Sequence, residues 1–437
     1  MPAVEEKKLL FISYYFPPTK TVATLRIFNF HHEAQKHFAE VFALTTSNRQ
    51  RFPHDDFDFD DSKTTEIPTY DLRRFLSKKN ATPSVGQSRK ESRLARFIIK
   101  LSYSFPFNIF LADGGLIYIL RGYFKGKKII REHKITFLFS SYKPYADHLI
   151  CFLLKRWNPQ LVWIADFRDL HVDEIRKNVF FPKLQKWFNR RILKRADIVT
   201  TVSKGLEKKL GPYNSQTYVL RNGISAKNTL PQNTKHFDKF TIAYTGSIYP
   251  EFQTAEIFFQ ALKNLIVAGI IDEEKVQLIY AGKENGVWEK WINEFSFEKI
   301  NTTYGFLPLK EAQEIQQKSH VNLLLSWSSK NQKGILTAKF YEYLLAQNPI
   351  LLIIKGEKDE EFEEIFEELR AGEVAYPQSE YQKTLESFIL KNYQSYLKTK
   401  NPPNLFPEEK LAPFTWKFQM KAFVNFIEQK ILSNESN

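Results

Sequence analysis

Residues 333–356 read KGILTAKFYEYLLAQNPILLIIKG, a helical pattern that runs directly into a buried strand. Pro349 stops the helix, and we expect Asn348 to take the left-handed conformation that often ends one. The following run, Ile350–Ile354, is continuously apolar, which predicts a strand covered on both faces. A helix that leads into such a strand is typical of parallel sheets built from βαβ units.

The same alternation of short apolar runs and helical segments extends along the whole chain. It stops at a polar stretch near residues 224–238 and then begins again. The predicted strands are Leu9–Tyr14, Val41–Thr45, Thr136–Ser140, Leu161–Ala165, Ile198–Val202 and Tyr218–Leu220, then Thr241–Thr245, Val276–Ala281, Val321–Leu325 and Ile350–Ile354. We therefore predict an α/β protein with two doubly wound parallel sheets.

Length and charge agree with two domains and an anionic partner. The chain has 437 residues, too many for one ordinary core. A formal net charge of +14 favours nucleotides, nucleic acid or anionic lipid as partners. The single cysteine, Cys151, excludes an internal disulfide framework. The N-terminus has no signal-peptide pattern, and no apolar run is long enough for a membrane-spanning helix, so we expect a cytoplasmic protein.

The helix within 333–356 carries Lys339 and Glu342 one turn apart, near its start at Thr337. A helix start has free N–H groups and a partial positive charge, which favour phosphate. Lys339 would add a cation, and Glu342 could accept hydrogen bonds from the two hydroxyls of a ribose. The alternative is a surface ion pair, worth about 0–1 kcal/mol.

Ligands of open parallel sheets bind beyond the carboxyl ends of the strands, so the loops there hold the remaining candidates. After Thr241–Thr245, Gly246 would let the backbone approach a ligand closely. After Leu9–Tyr14, Lys20 and Arg26 either approach a substrate or are solvated cations. His148 follows the predicted strand Thr136–Ser140, although a lone histidine is more often structural than catalytic.

A crowded group of charges, Asp166, Arg168, Asp169 and His171, follows the strand Leu161–Ala165. Charges at a buried strand end need partners. One interpretation is an internal Asp–Arg pair that pins the loop, and the other is a catalytic role. Asp169 and His171 are the better candidates for contacting an acceptor.

Residues 73–134 interleave Lys and Arg with Phe, Tyr and Ile, as in SRLARFIIKLSYSFPFNIFLADGG. Basic residues attract anionic headgroups while apolar ones enter the lipid interface. This favours an anionic membrane surface as a partner. A basic insertion that is merely solvated remains the alternative.

Several of these segments together resemble family 4 glycosyltransferases, which have the GT-B fold of two Rossmann-like domains facing across a cleft. The opening, LLFISYYFPPTKTVATLRIFNFHHEAQKHFAEVFALTT, resembles the start of that family. FTIAYTGSIYP, VQLIYAGKE, YGFLPLKEAQEIQQKSHVNLLL and GILTAKFYEYLLAQNPILLI resemble its donor-binding half, in order. SSYKPYADHLI and WIADFRDL look like a subgroup found among bacterial surface-polysaccharide enzymes.

The resemblance implies that residues 1–225, completed by a C-terminal helix within 412–437, bind the acceptor. Residues 236–410 would bind a nucleotide-sugar donor. Glu342 matches the second glutamate of the family's E-x7-E motif, which holds the ribose, while Gly334 stands where the first would be. Because the usual diphosphate clamp is not evident, Lys339 would take that role, with Thr337, Ser247 or Lys330 assisting. Lys20, Arg26 and Arg168 would lie on the acceptor side.

The implied reaction is retaining transfer of a sugar to a glycan or lipid-linked acceptor, in surface-polysaccharide biosynthesis. With retention, the departing phosphate can take the acceptor's proton. An inverting enzyme would need a base, for which Asp169 or His148 would be first choices. We expect no metal and no cofactor beyond the nucleotide-sugar, whether UDP- or GDP-linked, and a location in the cytoplasm or on the inner face of the membrane.

Three other interpretations stay open. Gly334 and the missing clamp would also suit a GT-B scaffold without activity. The basic pI, about 9.4, is compatible with a nucleic-acid binder, although no nucleic-acid module is recognisable. An epimerase of nucleotide-sugars on the same fold is the third.

Overall fold

The computed structural model describes residues 6–52, 54, 57–70, 93–173, 177–224, 235–283, 286–330, 332–403 and 408–435. The chain divides into two compact units. One comprises Met1–Arg221 and Trp416–Asn437, and the other Asn222–Thr415. The predicted ranges were 1–225 with 412–437, and 236–410; the boundaries agree within about five residues, except that the C-terminal unit begins fourteen residues earlier than predicted. Residues 73–92 of the predicted basic insertion lie outside the described residues.

The N-terminal unit contains a seven-stranded sheet whose paired strands all run parallel. Its order is β3-β2-β1-β4-β5-β6-β7. The strands are β1 (Lys8–Ile12), β2 (Glu40–Thr46), β3 (Thr64–Ile67), β4 (Phe137–Tyr142), β5 (Val162–Phe167), β6 (Ile198–Thr201) and β7 (Thr217–Val219). Strand order reverses between β1 and β4, the position at which such sheets open a crevice for ligands.

Helices cover this sheet, and apolar clusters fill the space on its faces. They are α1 (Val22–Ala34), α2 (Arg93–Ser102), α3 (Phe107–Phe110), α4 (Gly115–His133), α5 (Tyr145–Trp157), α6 (Pro182–Leu193) and α7 (Lys204–Leu210). Helix α1 begins after Thr21 because the Thr21 hydroxyl accepts the Thr24 N–H at 3.0 Å, which is an N-cap. The crossover helices account for the parallel pairing.

The C-terminal unit contains a six-stranded sheet, also parallel in every pair, with the order β10-β9-β8-β11-β12-β13. The strands are β8 (Phe240–Thr245), β9 (Val276–Ala281), β10 (Asn301–Tyr304), β11 (Val321–Ser328), β12 (Ile350–Gly356) and β13 (Gly372–Ala375). The predicted architecture of two parallel sheets flanked by helices is confirmed.

The helices of this unit again alternate with the strands. They are α8 (Glu256–Val267), α9 (Gly286–Phe295), α10 (Leu309–Lys318), α11 (Ala338–Ala346), α12 (Glu360–Leu369), α13 (Gln382–Thr399) and α14 (Glu408–Leu411). The last helix, α15 (Trp416–Glu435), belongs to the N-terminal unit. There it packs against α1, with the Trp416 and Phe30 rings 5.0 Å apart. In the described part of the chain, no helix is long and apolar enough to cross a membrane.

The prediction missed three strands, and all three lie at sheet edges: β3 (TTEI), β10 (NTTY) and β13 (GEVA). An edge strand has one neighbour and less buried surface, so it lacks the continuous apolar run that marks a central strand. By contrast, all five residues of Ile350–Ile354 in β12 are fully buried.

The stretch 333–356 forms α11 and β12 as predicted, but its helix ends differently. Gln347, not Asn348, takes the left-handed conformation, with φ 57°. The Asn348 side chain is 3% exposed and donates to the Gln316 and Gln317 carbonyls at 2.9 and 2.8 Å. These carbonyls lie in the last turn of α10 and need donors. The asparagine therefore caps a neighbouring helix rather than its own.

Candidate functional site

A compact group of polar residues in the C-terminal unit surrounds the turn after β8, formed by Thr245, Gly246 and Ser247. Gly246 has φ +120°, and its N–H donates to the Ala281 carbonyl at 2.6 Å. A Cβ atom on Gly246 would lie 2.1 Å from Cε of Lys339. The positive φ requires glycine here, and any side chain at this position would also displace the end of Lys339.

Lys339, from the first turn of α11, extends over this turn. Its Nζ donates to the Tyr244 hydroxyl at 2.7 Å and to the Ser247 carbonyl at 3.3 Å. The ammonium is also 4.4 Å from the centre of the Tyr244 ring, which is a cation–π contact. Burial lowers the pKa of Lys339 to about 8, although nearby Glu342 acts to raise it. The group is a cation at neutral pH that has lost much of its water.

Tyr244 is held in place by its aromatic neighbours. Its ring stacks on Tyr280, and Trp288 stacks in turn on Tyr280 with ring centres 5.2 Å apart. The Tyr244 hydroxyl donates to the Ser247 carbonyl at 2.9 Å. Burial raises the pKa of Tyr244 well above its usual value. The tyrosine therefore stays neutral and fixes both the lysine and the turn.

Glu342 has a partner other than Lys339. Its Oε2 accepts a hydrogen bond from Nε2 of Gln316 at 3.0 Å. The same nitrogen donates to the Thr245 hydroxyl at 2.8 Å, and the Tyr343 hydroxyl accepts the Thr245 N–H at 3.1 Å. Gln316 is 1% exposed. The two charged groups on α11 are thus held at the turn after β8 by separate contacts.

The start of α11 has no side-chain cap, and of its first N–H groups that of Phe340 donates to the Thr337 carbonyl at 3.1 Å. Thr337 is at the N-cap position with extended backbone, φ −76° and ψ 164°, but its side chain makes no cap hydrogen bond. A missing cap leaves first-turn donors available to solvent or a ligand. Lys330, the other predicted cation of this group, is exposed on the preceding loop.

Gly334 is tied to α12 rather than to this group. It has φ +66°, and its N–H donates to Oδ2 of Asp359 at 2.8 Å. Asp359 is fully buried, and its Oδ1 accepts the Phe362 N–H at 3.4 Å as the N-cap of α12. Burial raises the pKa of Asp359. The position where the related family carries a glutamate is occupied here by backbone that a buried carboxylate anchors.

In the N-terminal unit, Arg26 is buried in an ion pair. Its Nη2 lies 2.7 Å from Oδ1 of Asp166, and both side chains are at most 2% exposed. Asp166 also accepts from Ser141 and Thr200 at 2.8 and 2.9 Å, and Arg26 donates to the Leu220 carbonyl at 2.8 Å. Arg26, which was predicted to approach an acceptor, is thus fully engaged at the ends of the strands. An internal Asp–Arg pair does form at Asp166, but its arginine is Arg26 and not one from residues 166–171.

His148 is also fully buried. Its Nδ1 lies 2.8 Å from the Ser140 hydroxyl, which accepts the indole N–H of Trp163 at 2.9 Å. A hydroxyl oxygen can accept two hydrogen bonds, so Ser140 accepts the indole N–H and can either donate to Nδ1 or accept from it, depending on the histidine tautomer. Burial lowers the pKa of His148 to about 3. At neutral pH this imidazole is uncharged and weakly basic.

Of the other predicted residues of this unit, three lie at or near the surface and His171 is buried. Asp169 and Lys20 are exposed. Arg168 is half-buried, and its Nε donates to the Tyr142 carbonyl at 3.1 Å. His171 is buried, with Nδ1 2.9 Å from Oδ1 of Asn189, and burial lowers its pKa to about 3. Within the described residues, no group of three His, Cys, Asp or Glu side chains is arranged to hold a metal ion.

The predicted residues Lys339, Glu342 and Gly246 lie together in this group, and Tyr244 and Gln316, which also belong to it, were not among the predicted residues. Tyr244 falls within the predicted strand Thr241–Thr245, and no feature of the sequence indicates that its hydroxyl holds a lysine. Gln316 lies on α10 at a helical position facing the core, where an apolar residue is the rule. A buried glutamine at such a position was the available signal.

No protein-family model matches this chain, and no curated protein matches it in sequence. Solved structures do match it. The lipopolysaccharide outer core galactosyltransferase WaaB, in its apo form, aligns with a TM-score of 0.58 at 11% identity, over 97% of this chain and 99% of its own. The sucrose-phosphate synthase of Thermosynechococcus elongatus aligns with a TM-score of 0.58 at 14% identity, over 98% and 100%.

A glycosyltransferase from Rickettsia africae aligns with a TM-score of 0.56 at 12% identity, over 98% of this chain and 99% of its own. At identities this low, the structural alignments establish the fold but not the substrates. The alignments cover both sheets and nearly the full length of each chain. The chain therefore has the GT-B fold that these structures share.

Proposed function

We propose that this protein is a glycosyltransferase whose C-terminal unit binds the diphosphate of a nucleotide-sugar with Lys339 and the turn after β8. The observation that carries the proposal is the placement of a largely desolvated ammonium, 2.7 Å from the Tyr244 hydroxyl, on a turn with no side chain at Gly246. A cation held beside uncapped helix N–H groups is a suitable site for phosphate oxygens.

The same geometry suits the chemistry of sugar transfer. As the bond between the anomeric carbon and the diphosphate breaks, negative charge grows on the leaving phosphate. A preorganised cation in a site with little water stabilises that charge, which is usually the largest catalytic contribution. Glu342, one turn further along α11, accepts the ribose hydroxyls, and Gln316 holds it there.

The reaction proposed is retaining, with the leaving phosphate as acceptor of the proton. His148 supports this choice because its pKa of about 3 makes it a weak base at neutral pH. Asp169 is the exposed carboxylate that would serve in an inverting reaction. Lys20 and Arg168 remain the proposed contacts on the acceptor side.

The acceptor proposed is a glycan or a lipid-linked glycan of bacterial cell-surface polysaccharide biosynthesis. This follows from the resemblance of SSYKPYADHLI and WIADFRDL to that subgroup of family 4. The protein would act in the cytoplasm, at the inner face of the membrane, where lipid-linked intermediates present their sugars.

Thermal unfolding with UDP, GDP and other nucleoside diphosphates tests the donor half of the proposal. A ligand that binds only the native state raises Tm by mass action. We expect one nucleoside diphosphate to do so in the wild type and far less in Lys339→Met. Lys310→Met, an exposed lysine of the same unit, is the control. If none of the nucleotides shifts Tm in the wild type, the proposal is wrong.

A GT-B scaffold without activity is the second candidate, and the anchoring of Gly334 by Asp359 favours it. The two functions are separated by turnover of the nucleotide-sugar whose diphosphate stabilises the protein. Release of nucleoside diphosphate above the uncatalysed rate, abolished in Lys339→Met, identifies an enzyme. Binding without any release would instead identify the scaffold.

A further inference from the structure

The outward face of helix α4 is apolar where a surface helix is normally polar. Leu116, Ile117, Leu120 and Phe124 are 38%, 41%, 45% and 65% exposed. Large apolar side chains scattered singly on a surface need no explanation, but a contiguous group of them indicates an interaction site.

Basic residues border this apolar stripe on the same helix. At about 100° per residue, the four apolar residues span an arc of roughly 100°, and Arg121, Lys125 and Lys128 occupy the adjacent arc of about 60°. Towards the end of the helix, Lys127 and Arg131 fall within the apolar arc, and Glu132, 3.5 Å from Lys128, falls within the basic one. The remaining arc is buried against the core. The helix thus has a core face, an apolar outer face and a basic edge.

The orientation of this face is fixed by close packing behind it. A Cβ atom on Gly122 would lie 2.5 Å from Cδ1 of Ile150, and one on Gly126 would lie 2.8 Å from Cδ1 of Leu154. Ile150 and Leu154 both belong to α5. The two glycines therefore let α4 pack closer to α5 than larger residues would allow. The exposed side chains are therefore presented by a helix seated on the core.

Further exposed apolar residues lie on α2, α3 and α6; α3 contacts α4, and α6 contacts α5, against which α4 packs. Phe97 of α2 and Phe107 and Phe110 of α3 are exposed, as are Phe181, Leu184 and Trp187 at and within α6. The Phe97 and Phe180 rings lie 5.0 Å apart, and the Phe105 and Phe188 rings 4.2 Å apart. We name the combined surface the docking face: Phe97, Phe107, Phe110, Leu116, Ile117, Leu120, Phe124, Phe181, Leu184 and Trp187.

The helices that carry the docking face are strongly cationic. Helices α2, α3, α4 and α6 together contain twelve Lys or Arg residues and a single acidic residue, Glu132. A second copy of this chain placed on the same face would bring like charges together. A nucleic acid would use the cations, but the aliphatic side chains of Leu116, Ile117 and Leu120 at the centre of the α4 stripe offer its bases no ring on which to stack.

We propose that the docking face binds the surface of an anionic lipid bilayer. Apolar side chains enter the boundary of the acyl chains while Lys and Arg contact phosphate headgroups, as amphipathic helices do when they lie in the interface. The inference deepens the proposed function, on which its biological meaning rests, because it would bring the N-terminal unit to a lipid-linked acceptor.

Flotation of the purified protein with vesicles tests this directly. We expect the wild type to float with vesicles of phosphatidylcholine containing phosphatidylglycerol, much less with phosphatidylcholine alone, and less at high salt. The triple variant Arg121→Gln, Lys125→Gln, Lys128→Gln should partition roughly 100-fold less, at about 1 kcal/mol per cation.

The apolar part of the face needs its own variant. Leu120→Gln with Phe124→Gln should lower partitioning about tenfold or more, and the loss should persist at high salt, because it concerns transfer of apolar surface. Both side chains are exposed, so the fold should be unaffected, which thermal unfolding checks.

Matched controls come from the C-terminal unit. Val267 and Ile270 are 75% and 50% exposed, and Lys290, Lys299 and Lys310 are exposed as well. The corresponding glutamine variants should float like the wild type. If these controls lose binding equally, or if the wild type stays at the bottom of the gradient, the inference is wrong.

Sedimentation velocity without lipid tests whether a second copy of this chain, rather than a membrane, binds the docking face. A concentration-dependent dimer that the docking-face variants abolish would overturn the membrane assignment in favour of a second copy. Nucleoside diphosphate binding, measured on the same preparations, separates this inference from the proposed function. Vesicle binding without nucleotide binding refutes only the transferase, and nucleotide binding without vesicle binding refutes only the docking face.

Discussion

Gln316 joins Glu342 to the turn after β8, because its single amide nitrogen lies 3.0 Å from the Glu342 carboxylate and 2.8 Å from the Thr245 hydroxyl. The carbonyl of the same residue accepts from the side chains of Asn322 and Asn348, at 3.0 and 2.9 Å. The glutamine is therefore fixed through its backbone and holds the carboxylate through its side chain.

Gln316→Leu should weaken donor binding although Gln316 is not proposed to touch the donor. Loss of one hydrogen bond worth about 0.5–1.5 kcal/mol leaves Glu342 free to move, so we expect Kd for the nucleoside diphosphate to rise about 2- to 10-fold. Calorimetric titration measures this. Gln317→Leu, at the next position of α10, is the control. An unchanged Kd in Gln316→Leu would show that Glu342 needs no positioning.

Lys339 should make donor binding depend on pH. Its pKa is about 8 in the free protein, and a bound diphosphate would raise it because the anion favours the charged form. Affinity should then be greatest below pH 8 and fall as pH rises above it, by up to about tenfold per unit. Titrations across this range should show the fall in the wild type and not in Lys339→Met. A slope common to both proteins would assign the titration to another group.

The same lysine should also cost stability. A base whose pKa is lower in the folded state binds fewer protons there, so the free energy of unfolding should rise as pH rises from about 8 towards the unfolded value near 10.5. At neutral pH, Lys339→Met should be more stable by an amount on the order of 1–3 kcal/mol. Urea unfolding measures this difference in stability, and a Lys339→Met variant less stable than the wild type would contradict the prediction.

Breaking the buried pair of Arg26 and Asp166 should lower the free energy of unfolding more than replacing both residues. Arg26→Met leaves a buried carboxylate without its cation, and we expect a loss of about 3–5 kcal/mol in the free energy of unfolding. A second substitution, Asp166→Asn, should recover part of it. Arg26 holds the pKa of Asp166 below its usual value, so this contribution is present above the unfolded pKa and is lost in acid. Equal losses in the single and double variants would contradict the pairing.

Buried histidines should make the protein sensitive to mild acid. Burial lowers the pKa of His148 and His171 to about 3, and that of His31 and His320 to about 4. The unfolded chain then binds more protons between pH 6.5 and 4, so the free energy of unfolding falls as pH falls through this window. His148→Gln should reduce the slope by up to about one proton. An unchanged slope would show that His148 is already charged in the folded protein.

Local patterns were enough to predict the central strands, because a strand buried on both faces must be apolar throughout its length. They were not enough for edge strands such as β3, β10 and β13, whose surface is shared with solvent. Asn348 illustrates the same limit at a single residue. Its side chain satisfies carbonyls at the end of α10, and such a long-range contact has no local sign.

The sequence by itself determined that this chain forms two parallel sheets and that Lys339 and Glu342 lie on one helix turn, because apolar periodicity and residue spacing are local properties. Tertiary structure alone decided which partners these side chains have. It placed Lys339 on Gly246 and Tyr244, joined Glu342 to Gln316, and buried Arg26 with Asp166. Desolvation depends on every neighbour that excludes water, and those neighbours come from distant parts of the chain.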